Sequence, residues 1–339
     1  MDSSNGNKQS QRVSLRAADS VDLHLHTIAS DGFWTPKALI DRLASDSFKV
    51  VAVCDHDTQR SVAESIRLGH DRGIIVIPGV EVTCKWEDRQ LHILVYGIHP
   101  DNRDSNSQDF RDLLGQIDQE LHANALDAKD RFERSGRALP SLEKIQDGRL
   151  LWPFHVLSAV IEDKHAPNLK ESAELLVTLG GRFSADLPLE SVVKAAHQAN
   201  GLCLVAHPGR ADAVGIVTEE DFDRMRAEVP IDGLEAHYRS YTDAQTTQYR
   251  RIATDRDMLI SCGSDSHGPM KPVDPRKWNA IWCADLLGRF GFDVESGPSE
   301  AIAWLPGMDP LVAVEAPDEV GPAILNGSEP EIAAVDAAV

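Results

Sequence analysis

The chain has 339 residues, long enough for one large α/β barrel or two ordinary domains, and its 42% hydrophobic and 26% charged residues describe a globular, enzyme-sized protein. A formal net charge of −20 weighs against a protein that grips long nucleic acid through its backbone, so no stable nucleic-acid complex is expected. The longest apolar runs, such as Ile74–Ile77 and Val50–Val53, are far too short to span a bilayer, and no membrane partner is expected.

In chain order, residues 1–20 lack an apolar stretch of secretory type and read as a disordered leader. Short apolar, β-branched runs follow at Val21–Thr27, Val50–Asp57, Ile74–Thr83, Leu91–Ile98, Gly201–Gly209, Asp232–Tyr238 and Met258–His267. Each is bounded by Gly, Pro or polar residues, as strands are. Helical patterns lie between most of them: one opened by Pro36, then Gln59–Arg72, Leu189–Asn200, Glu219–Val229 and Asp243–Asp257. This alternation implies a parallel sheet with crossover helices, closed into a barrel of seven units near the TIM design. Residues 101–188 break the rhythm with helical patterns at Phe110–Ser135 and Ala173–Thr178, and read as a lid or substrate subdomain inserted between barrel halves 21–100 and 189–306. Residues 307–339 are acidic, contain no Lys or Arg, and read as a disordered tail. The five cysteines, Cys54, Cys84, Cys203, Cys262 and Cys283, form no CxxC and read as reduced, mostly buried thiols of a cytoplasmic protein.

The chemistry sits at the ends of the strand-like runs. Asp22, His24 and His26 alternate and so share one strand face. Asp31 follows in the loop, and the later runs carry Asp55-His56-Asp57, Glu81, His92, His207-Pro208-Gly209-Arg210, Glu235 with His237, and Asp265-Ser266-His267. The C-terminal strand ends of a parallel barrel form one rim, so these imidazoles and carboxylates should converge there. So many carboxylates repel one another unless cations neutralise them, and mixed N/O donors suit Zn, Mn or Fe. The donors outnumber what one ion can use, which points to two or three divalent metals.

HLHTIASDG at 24–32, CDHDT at 54–58, PGVEVT at 78–83, LHILVYGI at 91–98, AHPGR at 206–210 and GSDSHG at 263–268 resemble, in order and spacing, the PHP (polymerase and histidinol phosphatase) superfamily. Within it the chain looks most like the stand-alone YciV-type branch of nucleoside 3′,5′-bisphosphate phosphatases and RNase AM-type 5′→3′ exoribonucleases. The resemblance covers about Val21–His267 and implies a distorted (β/α)7 TIM-like barrel with a trinuclear site. Carried over by motif, His24, His26, Glu81 and Asp265 hold the first metal, Glu81 bridges to a second held by His92 and His207, and Asp31, His56 and His267 hold the third. Glu81, Asp265 and His207 form the catalytic core, Arg210 and His155 contact substrate phosphate, and Asp22 and Asp57 orient ligating imidazoles. Glu235 and His237 read as supporting or substrate-facing groups. The Arg-rich helix early in the family's insertion is replaced by DQELHANALDAKDRF at 118–132, which weighs against bisphosphate and RNA-end specificity.

The expected activity is hydrolysis of phosphate esters of a small substrate, a nucleotide or another phosphorylated metabolite, by a metal-activated hydroxide. Trimming of short RNA or DNA from the 5′ end is the alternative, and a non-catalytic metal-binding module a second one. The expected partners are a small phosphorylated substrate or short oligonucleotides.

Overall fold

The computed structural model describes residues 12–210, 215–268, 274–295 and 303–310. Its strands are β1 (Val13–Arg16), β2 (Ser20–Leu25), β3 (Val50–Val53), β4 (Ile75–Trp86), β5 (Arg89–Tyr96), β6 (Leu187–Pro188), β7 (Leu202–Val205), β8 (Gly233–Tyr238), β9 (Leu259–Gly263), β10 (Trp278–Asn279) and β11 (Phe292–Glu295). The helices are α1 (Pro36–Ser45), α2 (Val62–Arg72), α3 (Gln108–Arg134), α4 (Leu142–Gln146), α5 (Pro153–Glu162), α6 (Leu169–Thr178), α7 (Leu189–Gln198), α8 (Glu219–Glu228), α9 (Asp243–Asp255) and α10 (Ala284–Arg289).

Strands β2-β3-β4-β5-β7-β8-β9 run side by side in that order. A bridge between Leu25 and Ser266 brings the first edge back to the last, so the sheet nearly closes into the expected seven-stranded barrel. Both of its faces are covered, which explains the continuous apolar runs. In β3, Val50 and Ala52 pack inside with Leu23, Ile77 and Leu204, while Val51 and Val53 pack outside against Leu39, Ile40 and Leu43 of α1. Pro36 at the first turn of α1 and the Thr35 side chain, which accepts from the Ala38 N–H, start that helix.

The sheet is not wholly parallel, which corrects the sequence expectation. β5 pairs antiparallel with both β4 and β7, because only Glu87 and Asp88 separate β4 from β5, too few residues for a crossover. The reversal explains why His92 lies near the start of its strand: that start meets the rim where the parallel strands end.

Two expectations at the chain ends also need correction. Val13–Arg16, placed in the disordered leader, form β1 and pair parallel with Phe292–Glu295. Residues 307–310, placed in the tail, lie against the barrel, where Asp309 Oδ1 is 2.6 Å from the buried His237 Nδ1. Residues 1–11 of the leader and 311–339 of the tail lie outside the described residues. Helices α3 to α6 pack a separate apolar cluster that includes Ala125, Phe132, Val156, Val160 and Leu176.

Candidate metal centre

Every residue expected as a ligand comes to one end of the barrel. His24 ends the buried face of β2, His26 follows it, Glu81 sits mid-way along β4, and Asp265 and His267 follow β9. Glu81 is the hub. Its Oε2 lies 3.0 Å from His24 Nε2, 3.2 Å from His26 Nε2 and 3.3 Å from His56 Nδ1. Its Oε1 lies 2.9 Å from His207 Nε2 and 3.1 Å from His92 Nδ1. On the far side, Asp31 Oδ2 is 3.3 Å from His267 Nε2 and 3.8 Å from His56 Nε2. Asp265 Oδ1 is 3.0 Å from His26 Nε2 and 3.3 Å from His267 Nδ1.

Among the described residues, three overlapping groups at this rim could hold an ion: His24, His26, Glu81 and Asp265; His56, Glu81 and His92; and His26, Asp31, His56 and His267. His207 joins the second through Glu81. His26 lies in two groups, which the motif assignment did not include.

The donor orientations fit cations. His267 Nδ1 faces the Asp265 carbonyl at 2.9 Å, which leaves the lone pair of Nε2 directed at Asp31. His24 Nδ1 is likewise engaged by Glu235 Oε1 at 3.2 Å, and Nε2 then faces Glu81. His26 Nε2, Asp265 Oδ1 and His267 Nε2 are buried and make no hydrogen bond despite these short separations. Lone pairs that face one another at such distances repel, and a cation between them turns the arrangement favourable.

The electrostatics show how strongly these carboxylates draw positive charge. Burial would raise Glu81 and Asp265, but the surrounding histidines, with Arg239 beside Asp265, hold both well below the usual carboxylate range. Burial would lower His24, but Glu81, Glu235 and Asp265 hold it well above 6.5. His26 is pushed up to about 9 against its burial by Asp265 and Glu81. His207 falls to about 4, chiefly from burial. The backbone is strained at the same rim: His207 (φ 27°) and Asp265 (φ 51°) lie in the left-handed region. Gly263 allows the approach, since a Cβ there would come within 2.2 Å of His24 Cβ.

No protein-family model matches the chain. It is 28% identical over 257 residues to a 5′-3′ exoribonuclease of Haemophilus influenzae, covering 73% of this chain and 90% of that one. It is 27% identical over 270 residues to a 3′,5′-nucleoside bisphosphate phosphatase of Chromobacterium violaceum, covering 74% and 88%. A solved structure from Bifidobacterium adolescentis, described as a proposed metal-dependent phosphoesterase, shares the fold with a TM-score of 0.65 at 24% identity, over 82% of this chain and 99% of that one. These relatives and the shared fold support the resemblance to the PHP superfamily that the motifs carry.

Around the motif residues the structure places others that sequence reasoning missed or misjudged. The Tyr238 hydroxyl donates to Asp265 Oδ2 at 2.7 Å, and Arg239 donates to the Ser264 and Asp265 carbonyls. Tyr238 ends strand β8 and Arg239 follows it, and nothing in their spacing marks them. Asp55 accepts from the Thr27 N–H, the Thr27 hydroxyl, and the Ser30 and Ser61 hydroxyls, and so anchors the loop that carries Asp31.

Asp22 and Asp57 hold backbone rather than imidazoles, a correction. Asp22 accepts from the Ser264 and Arg276 N–H groups, and Asp57 from the Thr83 N–H and hydroxyl. Burial pushes both carboxyls up to about 7. Glu235 supports the centre as expected, accepting from the His207 N–H at 2.8 Å and engaging His24. His237 does not reach it. Its ring is stacked on Trp282, with Nδ1 against Asp309 and Nε2 against Arg250, because the register irregularity between Glu235 and His237 turns its side chain outward from β8.

Arg210 reaches the rim, where Nη1 lies 3.2 Å from Asp265 Oδ2 and the guanidinium covers the Tyr238 ring. His155 Nδ1 accepts from the Trp152 N–H at 3.1 Å, so the neutral ring carries its proton on Nε2, which is buried without an acceptor. Burial, with Arg149 and Arg60 nearby, lowers its pKa to about 4 and keeps it neutral. All five cysteines are free and buried, and none joins the groups at the rim.

Proposed function

We propose that the protein is a metal-dependent phosphoesterase that hydrolyses phosphate esters of a small substrate, a nucleotide or another phosphorylated metabolite. The observation that carries this reading is the cluster around Glu81, with buried lone pairs of His26, Asp265 and His267 facing one another without hydrogen bonds. Nine residues form the ligand set we assign: His24, His26, Asp31, His56, Glu81, His92, His207, Asp265 and His267. We assign two or three divalent ions of Mn, Zn or Fe to it. Such ions supply Lewis acidity toward a phosphoryl oxygen and lower the pKa of a water to about 7.

The chain's own residues do the rest. Glu81 spans the groups through its two oxygens. Asp265 and His207 complete the reacting rim. Arg210 offers a planar guanidinium to phosphate oxygens, released in part from Asp265 when the ester binds. His155 Nε2–H donates to an ester oxygen, the acceptor it lacks in the free protein. The insertion, taken as 101–188, closes over the rim as a substrate subdomain. Among the described residues no helix is long and apolar enough to cross a membrane. The free buried thiols fit the reducing cytoplasm.

A second reading, 5′→3′ trimming of short RNA or DNA ends, is supported by the name of the Haemophilus influenzae relative. A phosphate-release assay of metal-loaded protein decides between them. The panel holds nucleoside monophosphates, bisphosphates, cyclic phosphates, sugar phosphates and a 5′-phosphorylated oligonucleotide, each with and without chelator. Chelator-sensitive turnover of a small ester supports the first reading. Nucleotide release from the oligonucleotide alone supports the second. Silence across the panel with metals bound leaves a non-catalytic metal-binding module.

A further inference from the structure

At the end of the barrel opposite the metal rim, three different kinds of metal ligand meet. His197 lies in the last turn of α7, Cys203 in β7, and Asp232 just ahead of β8. One donor atom from each lies within 4.8 Å of the other two. Strand β7 runs from this end toward the rim, and the step from Cys203 to His207 spans about 13 Å of extended chain. The group shares no residue with the Glu81 cluster. Among the described residues Cys203 is the one cysteine placed in such a group.

The backbone holds the three side chains in advance of any ion. Asp232 Oδ2 accepts from the Cys203 N–H at 2.7 Å, and the Asp232 N–H donates to the Cys203 carbonyl at 2.9 Å, so the two residues brace each other. Asp232 Oδ2 also lies 2.8 Å from His197 Nε2. Just past α7, Asn200 takes a left-handed φ of 60° and its N–H donates to the His197 carbonyl at 3.0 Å. That turn brings His197 and Cys203 together across a short stretch of chain. Access is from one side: the His197 and Asp232 side chains are 31% and 25% exposed, whereas Cys203 is buried. An ion arriving from solvent meets the imidazole and the carboxylate first and the sulfur last.

The donor set selects the ion. A thiolate, an imidazole and a carboxylate form a softer site than the nitrogen and oxygen donors of the rim, and three protein ligands with an open fourth position suit tetrahedral zinc. Burial first, and Asp232 second, push the Cys203 thiol well above its usual range, so without an ion it stays protonated. A bound ion takes the sulfur as thiolate and His197 as the neutral ring, and the displaced protons go to water.

We propose that His197, Cys203 and Asp232 form a second, separate metal site that takes one zinc ion, with water as the fourth ligand. The site ties the end of α7 to the starts of β7 and β8, and it stands independently of the phosphoesterase reading. Manganese, a hard ion that thiolate holds weakly, loads the rim and leaves this site open.

Cobalt(II) tests this, because a thiolate bound to cobalt gives an intense near-ultraviolet charge-transfer band that nitrogen and oxygen ligands do not. The reduced, full-length protein is titrated with cobalt chloride and then with zinc chloride. The band should rise to the strength of one thiolate per chain, and zinc should abolish it. Cys203→Ala, a small apolar replacement in a buried position, should remove the band and leave manganese binding unchanged. His197→Gln and Asp232→Asn keep the thiol, and each should weaken cobalt binding, read from the band, at least about tenfold. Asp232→Asn also keeps an oxygen to accept from the Cys203 N–H, so its loss of affinity reports the carboxylate rather than a disturbed turn. The absence of any band at millimolar cobalt, or a band that survives Cys203→Ala, would overturn the proposal. A band that neither His197→Gln nor Asp232→Asn weakens would overturn it too, since it would mark a lone thiol instead of a three-ligand site.

Discussion

The Tyr238 hydroxyl donates to Asp265 Oδ2 at 2.7 Å, so the oxygen of Asp265 that faces away from the histidines is held while Oδ1 stays directed at His26 and His267. Burial pushes the Tyr238 hydroxyl well above its usual pKa, which keeps it a donor at every working pH. Orienting partners of this kind are worth about 10–100-fold in metal affinity or activity. Tyr238→Phe should therefore lower both on that scale with little change in folding. Metal titration and steady-state kinetics on the variant check this, and unchanged affinity would show that Asp265 is held without Tyr238, by its backbone and by Arg210 and Arg239.

Asp55 plays the same part for Asp31. It accepts from four donors on Thr27, Ser30 and Ser61 and is fully buried. Asp55→Asn replaces one acceptor oxygen with a donor that faces donors. Hydrogen bonds to charged groups are worth about 1.5–3 kcal/mol each, so the variant should lose about 2–4 kcal/mol. It should also weaken the ion beside Asp31 more than the one beside His24. Urea unfolding and metal counting on Asp55→Asn test both.

His155 predicts a pH dependence of stability. Its pKa is lowered from 6.5 to about 4 in the folded chain, by burial first and then by Arg149 and Arg60. Between those values the unfolded chain binds the proton and the folded one does not, so stability rises with pH. The contribution is whole above about 6.5 and is lost as pH falls through about 4, with an upper bound of roughly 3 kcal/mol. His155→Gln keeps an acceptor for the Trp152 N–H but does not titrate. The stability difference between the two proteins should change by a few kcal/mol from pH 7.5 to pH 4, as read by denaturant melts. A constant difference would mean that His155 stays accessible to protons when folded.

Ion removal should destabilise the protein, because Glu81, Asp31 and Asp265 lose their neutralising charge. At an ion concentration about a hundred times Kd, binding stabilises by about 2.7 kcal/mol per site. Thermal melts with and without chelator should differ by several degrees. Equal midpoints would show that the cluster binds no ion tightly.

Much of this centre is legible in the sequence because a strand exposes its chemistry at its end. His24 and His26, Glu81, His207 and Asp265 each interrupt or follow a run of apolar residues, and the interruption is visible without the fold. His92 is legible as a residue, but its position near the start of β5 fits only once that strand is known to run antiparallel. Tyr238 and Arg239 carry no such mark, since an aromatic and an arginine at the end of β8 look like ordinary surface chemistry. His237 shows the converse. It alternates with Glu235, yet the register irregularity between Glu235 and His237 and the packing of Trp282 and Asp309 take it outside. The pairing of β1 with β11 joins residues about as far apart as the described chain allows, beyond the reach of local pattern.

The central claim is that Glu81 joins ions that hydrolyse a phosphate ester. Its most direct test is one paired measurement, bound metal per chain and chelator-sensitive phosphate release, on the unmodified protein and on Glu81→Gln. The account predicts two or three ions and turnover in the former, and in the variant the loss of at least one ion with activity down at least about a hundredfold. Full metal content and full turnover in Glu81→Gln would contradict it.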